Sequence, residues 1–328
     1  MEQRYLGRTG LRVSRIGLGT LTWGRDTDEH DAADLLKTFW EAGGSLVDSA
    51  DVYGDGEAEY LLGRLIEGLV PRRDLVISTK AGSVPDPDRR VDGSRGHLLS
   101  ALDASLTRLG TDYVDIWHIH GFDPYTPLEE TLQALDMAVS SGRARYAGVS
   151  NFCGWQLAKA ATWQLAAPGI RTRLAGTQME YSLLQRGVER EVLPAALDLG
   201  IGLLPSSPLG RGVLTGKYRD DAMPPDSRGA SDHLAPFVEP YLDETAGHIV
   251  EAVQTAADGL AVTPLQVALA WIRDRPGVAA PIVGARNSQQ LTAALSVEAL
   301  SLPDEICRAL DDVSAPVHRY PDHDWSTL

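Results

Sequence analysis

Short apolar runs alternate with longer amphipathic ones along most of this chain. The segments 16–18, 46–48, 75–80, 114–120, 145–150, 176–180, 202–206 and 280–284 are short, apolar and bounded by turn residues, as buried strands are. Between them, 31–42, 57–67, 97–109, 128–141, 155–166, 188–199, 264–273 and 288–295 carry helical patterns. No composition break interrupts these eight strand–helix units. Each return to the next strand crosses by a helix, which predicts a parallel sheet. Eight such units close into an α/β barrel, (β/α)8, of about 250 residues. The surplus of the 328 residues has its own places. An N-terminal β-hairpin turns at Gly7-Arg8-Thr9-Gly10, and extra helices fall near the C-terminus at 242–257 and 304–313. Pro303 opens the second of these, where a missing N–H costs little. A long loop at 207–243 follows strand seven and is rich in Pro, Gly and Asp. Irregular segments of that length are uncommon without a use, so a lid is expected there. The whole chain, 1–328, reads as a single domain.

Charge and cysteine content narrow the setting. A formal net charge of −15 argues against nucleic acid or an anionic membrane surface as the main partner. Two cysteines, Cys153 and Cys307, are too few for a disulfide framework and fit a reducing compartment. Met1-Glu2-Gln3-Arg4 opens no apolar signal region, and no run reaches membrane-spanning length. A cytoplasmic location is the expectation.

Three strand ends hold ionisable groups: Asp48, Lys80 and His120. In a parallel barrel that edge is where ligands bind. A lysine closing an apolar strand is costly unless paired, and adjacent strands bring Asp48 beside Lys80. Tyr53, in the turn after Asp48, then lies near an ammonium, which is expected to lower the phenol's pKa. His120 is placed to orient a carbonyl oxygen. Together these make a general acid and an electrophilic pocket without a nucleophile, so a cofactor is expected to bring one. His118 shares the strand parity of His120 and is expected to be a satisfied interior histidine. Asp115 and Arg108 are expected to pair as scaffold behind the barrel. Without a third ligand near His118 and His120, no metal site is expected.

Ordered motifs over nearly the whole chain resemble the aldo-keto reductase superfamily. Asp48-Ser49-Ala50-Asp51-Val52-Tyr53-Gly54, Ile77-Ser78-Thr79-Lys80 and the strand from Asp112 to His120 carry the resemblance. It implies a TIM barrel, a nicotinamide cofactor and a catalytic set of Asp48, Tyr53, Lys80 and His120. Gly148-Val149-Ser150-Asn151-Phe152 is similar to the segment whose Ser and Asn hold the carboxamide, and Gln178 to a glutamine at the same group. The segment from Ser207 through Leu209, Gly210 and Gly212 to Lys217 is similar to the one that wraps the pyrophosphate. Gly284, Arg286, Ser288 and Gln290 match the final cofactor segment. Arg286 suits a 2′-phosphate, so NADPH is expected over NADH. Ser206 departs from the pattern: it stands where family members often carry an aromatic ring that stacks on the nicotinamide.

Trp23, Phe122 and Tyr125, with His233 and Phe237 of the long loop, are expected to form substrate walls for a small carbonyl compound. The implied activity is NADPH-dependent reduction of an aldehyde or ketone with Tyr53 as acid. The rival is an NADPH-binding redox-sensing subunit of a partner, with incidental turnover.

Overall fold

The computed structural model describes residues 1–166, 172–219, 223–225 and 227–316. Strands β1 (Gln3–Tyr5) and β2 (Arg12–Ser14) pair antiparallel as the hairpin. Eight more strands form one parallel sheet: β3 (Gly17–Gly19), β4 (Leu46–Asp48), β5 (Val76–Ala81), β6 (Val114–Ile119), β7 (Ala144–Ser150), β8 (Leu174–Glu180), β9 (Gly202–Ser206) and β10 (Ile282–Gly284). Their order is β10-β3-β4-β5-β6-β7-β8-β9. Leu203 joins the two ends: its N–H donates to Gly277 O at 2.9 Å, and its carbonyl accepts from Ala279 N–H at 2.8 Å. The sheet is thus a nearly closed (β/α)8 TIM barrel.

The helices are α1 (Glu29–Glu41), α2 (Glu57–Gly68), α3 (Arg95–Leu109), α4 (Leu128–Ser140), α5 (Gly154–Ala166), α6 (Val192–Leu199), α7 (Ala235–Val238), α8 (Glu244–Leu260), α9 (Pro264–Arg273), α10 (Ser288–Leu295) and α11 (Asp304–Val313). Helix α1 shows why they form where they do. Asp28 caps it by accepting from Asp31 N–H, and Ala32, Leu35, Leu36 and Phe39 put one buried stripe against the sheet. Helix α9 opens on a capping box, Thr263 with Gln266, with Pro264 in its first turn. Helix α6 starts later than its hydrophobic pattern does. Gly187–Glu189 forms a separate 3-10 turn, and Pro194, tolerated only in a first turn, fits the start at Val192.

Side chains alternate across each strand, so two residue sets fill the barrel. At its lower end Leu6 and Val13 of the hairpin region pack with Leu46, Ile116, Leu204 and Ile282. Two positions further along the same strands come the polar residues Asp48, His118 and Ser206. The hairpin therefore plugs the floor with apolar surface, and the carboxyl ends of the strands carry the chemistry. Among the described residues no single helix is long and apolar enough to cross a membrane.

One expectation gains detail and another needs correction. The 207–243 segment is largely ordered into short turns: 3-10 turns at Gly210–Thr215, Arg228–Ala230 and Glu239–Tyr241, plus α7. Positions 220–222 and 226 lie outside the described residues. Arg211 folds the segment onto the barrel, with two contacts to Glu180 at 3.1 and 2.7 Å and one to Phe237 O at 2.8 Å. Asp115 and Arg108 do not pair. Asp115 binds Arg72 at 2.7 Å and accepts from Ile77 N–H at 2.9 Å. Arg108 instead meets Glu59 of α2 at 2.6 Å, a carboxylate with no exposed side-chain surface and hence in need of a cation.

Candidate active site

The register of the barrel gathers Asp48, Lys80 and His120 at one rim. Asp48 pairs with Ser78 across β4 and β5, and Lys80 with His118 across β5 and β6. Lys80 Nζ lies 2.6 Å from Asp48 Oδ2, 2.7 Å from Ser49 O and 3.4 Å from the Tyr53 hydroxyl. Tyr53 is held by the turn after β4. Asp51 N–H donates to Lys80 O at 3.0 Å, and Gly54, Asp55 and Gly56 all take positive φ. A side chain at Gly56 would run into Arg108, 2.8 Å from its Cδ, so the turn needs glycine there for space as well as for φ. The Tyr53 and His120 rings meet edge to face, 6.1 Å between centroids. Asn151 Nδ2 donates to His120 O at 2.9 Å, tying β7 to the end of β6.

Burial controls the protonation of this group. Burial lifts the Tyr53 phenol above its ordinary value, Asp48 adds to the rise, and Lys80 only partly opposes it. That overturns the expected downward shift: desolvation outweighs the cation. The phenol therefore holds its proton at neutral pH. Burial alone would discharge Lys80, but the Asp48 charge and hydrogen bonds to Asp48 and Tyr53 hold its basicity above the usual lysine value. Burial, reinforced by Lys80, takes His120 down to about 3, so it is a neutral imidazole with one ring N–H to donate and one bare nitrogen to accept. Its Nδ1 is buried and has no hydrogen-bond partner.

A cavity of about 720 Å³ runs from these residues across the barrel mouth. Asp48, Tyr53 and His120 line it, with Ser150, Asn151, Gln178, Ser206, Ser207, Leu209, Gly212, Lys217, Gly284, Arg286 and Gln290. Gln178 Nε2 donates to Asp48 Oδ1 at 3.0 Å, and Ser150 Oγ to Gln178 O at 3.0 Å. Gly210 and Ser288 do not reach the wall: Gly210 packs on Leu184, and Ser288 starts α10 behind Gln290. Three non-glycine residues in the wall, Asn151, Ser207 and Arg211, have positive φ, and so does Asp55 beside Tyr53. Strain of this kind gathers where the surrounding structure fixes a site.

The far end of the cavity is cationic. Arg228 joins Arg286 and Lys217 there, and burial together with the charge of Arg286 depresses the basicity of Arg228. Two guanidinium groups held close enough to repel form a donor set that an anion such as a phosphate would stabilise. The glycines at 212 and 284 keep the wall thin. A Cβ at 284 would stand 3.2 Å from Arg228, and one at 212 would stand 3.1 Å from Lys217. This end fits the phosphate-bearing half of a dinucleotide.

The structure does not bring three expected substrate residues to the cavity. Trp23 has no exposed surface and packs in the core, because its loop turns back through Trp23 N–H to Thr20 O at 2.9 Å. Phe122 is taken up by edge contacts with Phe152 and Trp155. Tyr125 is 74% exposed, turned outward by the bond from its N–H to Asp123 Oδ1. Leu21, Thr22, Ser83 and Leu234 line the cavity instead, with Phe237 as expected. His233 bridges Asp26 at 3.2 Å and Ser231 at 2.9 Å, linking the long segment to the first loop. Arg228 carried no sequence signal, since only the folding of its segment brings it to Arg286.

The sequence has counterparts among known proteins. The model of the Aldo/keto reductase family matches residues 15–315. The chain is 36% identical to the uncharacterized oxidoreductase YrpG of Bacillus subtilis, over 95% of this chain and 96% of that protein. It is likewise 36% identical to a probable voltage-gated potassium channel subunit beta of Oryza sativa, over 98% of each. It is 30% identical to the versiconal hemiacetal acetate reductase of Aspergillus parasiticus, over 98% of this chain and 99% of that protein. A match of this length, on a barrel whose rim carries the expected acid, lysine, tyrosine and histidine, places the chain in the aldo/keto reductase family of oxidoreductases.

Proposed function

We propose that this protein is an NADPH-dependent reductase of aldehydes or ketones. The observation that carries the reading is Lys80 Nζ, held between Asp48 and the Tyr53 hydroxyl in the wall of a cavity that leads to Arg286. Ser150, Asn151 and Gln178 would hold the nicotinamide end of the cofactor. Ser207, Leu209, Gly212 and Lys217 would hold the pyrophosphate, and Arg286, Arg228 and Gln290 the phosphorylated adenosine. When bound, the nicotinamide supplies hydride. The chain's own residues handle the oxygen. Neutral His120 donates a hydrogen bond that orients the carbonyl. Tyr53, protonated at neutral pH, gives its proton to the oxygen as charge develops there. Lys80, kept charged by Asp48, then stabilises the phenolate that remains. The wall of Leu21, Leu234 and Phe237 excludes water and suits an uncharged carbonyl compound.

Tyr53→Phe tests this. The variant is expected to bind NADPH within about twofold of the native protein and to lose at least about a hundredfold in kcat, the usual range for a removed general acid. A kcat close to native would remove Tyr53 from the role. The relatives in rice and Arabidopsis thaliana, the latter 38% identical and likewise described as a probable potassium channel beta subunit, support a second reading. In it the barrel is a cofactor-binding subunit of a larger assembly. Slow reduction of every aldehyde and ketone tried, with NADP release slower still, would favour that alternative.

A further inference from the structure

Below the rim a polar chain runs from Asp48 to Ser78 and His118, two residues that the proposed mechanism leaves unused. Asp48 Oδ2 faces the Lys80 ammonium, and Asp48 Oδ1 accepts from Ser78 Oγ at 2.9 Å and from Gln178 Nε2 at 3.0 Å. Ser78 Oγ lies 3.2 Å from His118 Nδ1. Neither Ser78 nor His118 has any exposed surface. A hydroxyl has one proton. A carboxylate turned to an ammonium only accepts, so the Ser78 proton goes to Asp48. The remaining contact is then made by a proton on His118 Nδ1. This fixes the tautomer and leaves Nε2 bare, which suits a nitrogen that is buried without a hydrogen-bond partner.

The imidazole is also wedged. A Cβ at Gly148 would stand 2.3 Å from His118 Cδ2 and 2.5 Å from its Nε2, so the ring rests on the bare backbone of β7. Burial first, with Lys80 adding and Asp48 opposing, takes His118 down to about 4. It is neutral under ordinary conditions and does not compete with Lys80 for Asp48.

We propose that His118 is a positioning residue. Its Nδ1–H holds the Ser78 hydroxyl in the orientation that keeps Asp48 turned toward Lys80. The effect on rate rests on the reading of Tyr53 as the acid; the tautomer does not.

Two measurements test the proposal. The first uses cofactor-free protein labelled with 15N-histidine, with the His118 signals among the eight histidines assigned by their loss in His118→Asn. At neutral pH His118 should show the Nδ1–H form with an unprotonated Nε2, and Ser78→Ala should perturb that signal. The second is single-turnover oxidation of NADPH. His118→Leu should slow it about tenfold, which equals about 1.4 kcal/mol, with the NADPH Kd unchanged. His118→Asn, whose amide can stand in for Nδ1–H, should restore most of the rate. An Nε2–H tautomer, native speed in His118→Leu, or equal loss in the Leu and Asn variants would overturn the proposal. Should His118→Leu not fold, Ser78→Ala takes its place in the rate comparison. Native protein that reduces no carbonyl compound at all would end the reductase reading, and the tautomer would then decide this one alone.

Discussion

Lys80 and Asp48 offer a perturbation whose effects on stability and on turnover should separate. The lysine side chain is wholly buried and the carboxylate is 3% exposed, so solvent screens neither. Lys80→Met keeps the length of the side chain and removes its charge. Asp48 then stays buried opposite a thioether, with only the Ser78 and Gln178 donors left to it. Removing one partner of a buried pair costs about 3–5 kcal/mol. Two retained hydrogen bonds place the expectation near the lower end, about 3 kcal/mol. Adding Asp48→Asn removes the orphaned charge. An amide oxygen can still accept from Ser78 and Gln178, and a buried pair replaced by neutral groups is often close to neutral in stability. The double variant is therefore expected within about 1 kcal/mol of native. Urea unfolding followed by tryptophan fluorescence reads this as a shift in midpoint at constant slope. Turnover should behave differently: both variants lose the cation beside Tyr53, so both should be slow. A double variant no more stable than Lys80→Met would refute the view that charge imbalance sets the cost. Native turnover in Lys80→Met would refute the role given to the ammonium.

Asp51 makes a second prediction. Burial, with help from Glu59, raises it from 3.8 to about 7, and its Oδ1 has no hydrogen-bond partner. The folded protein then holds a proton that the unfolded chain releases near pH 4. The stability linked to this group is full below that value and falls as pH rises through about 7. Asp51→Asn should therefore raise the melting temperature at pH 8, by an amount equivalent to roughly 2–4 kcal/mol, and leave it almost unchanged at pH 4; a pH-independent difference would exclude this account. At the other end of the cavity, Arg228→Ala and Arg286→Ala should each weaken NADPH at least about tenfold while changing NADH by less than about twofold. Equal losses for the two cofactors, measured by fluorescence titration, would place the 2′-phosphate elsewhere.

How much of this was readable in the chain depended on how local the determining physics is. Strand parity is local. It set His118 on the same face as His120, and the end of each apolar run put Asp48, Lys80 and His120 near the rim. The positions of Tyr53, Gln178 and Arg286 followed from motifs a few residues long. Loop side chains are governed instead by what they meet after folding. Trp23 carries more apolar surface than a short loop can leave in water, and it folded inward. Phe122 found Phe152 and Trp155, thirty or more residues away in sequence. Arg228 reached the cavity only because Arg211, Glu180 and Phe237 fold the long segment back over the rim. The direction of the Tyr53 shift escapes the sequence for a related reason: neighbouring charge can be read from a motif, but the depth of burial cannot.

The hairpin that seats Leu6 and Val13 against Leu46 and Ile116 has a consequence for traffic. Among the described residues it closes the floor of the hollow, which opens at the strand tips. If the proposed function holds, the reacting end of the dinucleotide passes that opening before a carbonyl compound takes its place beside Tyr53. On the reductase reading, such geometry would impose a queue: dinucleotide in first and out last, with the alcohol leaving ahead of it on every cycle.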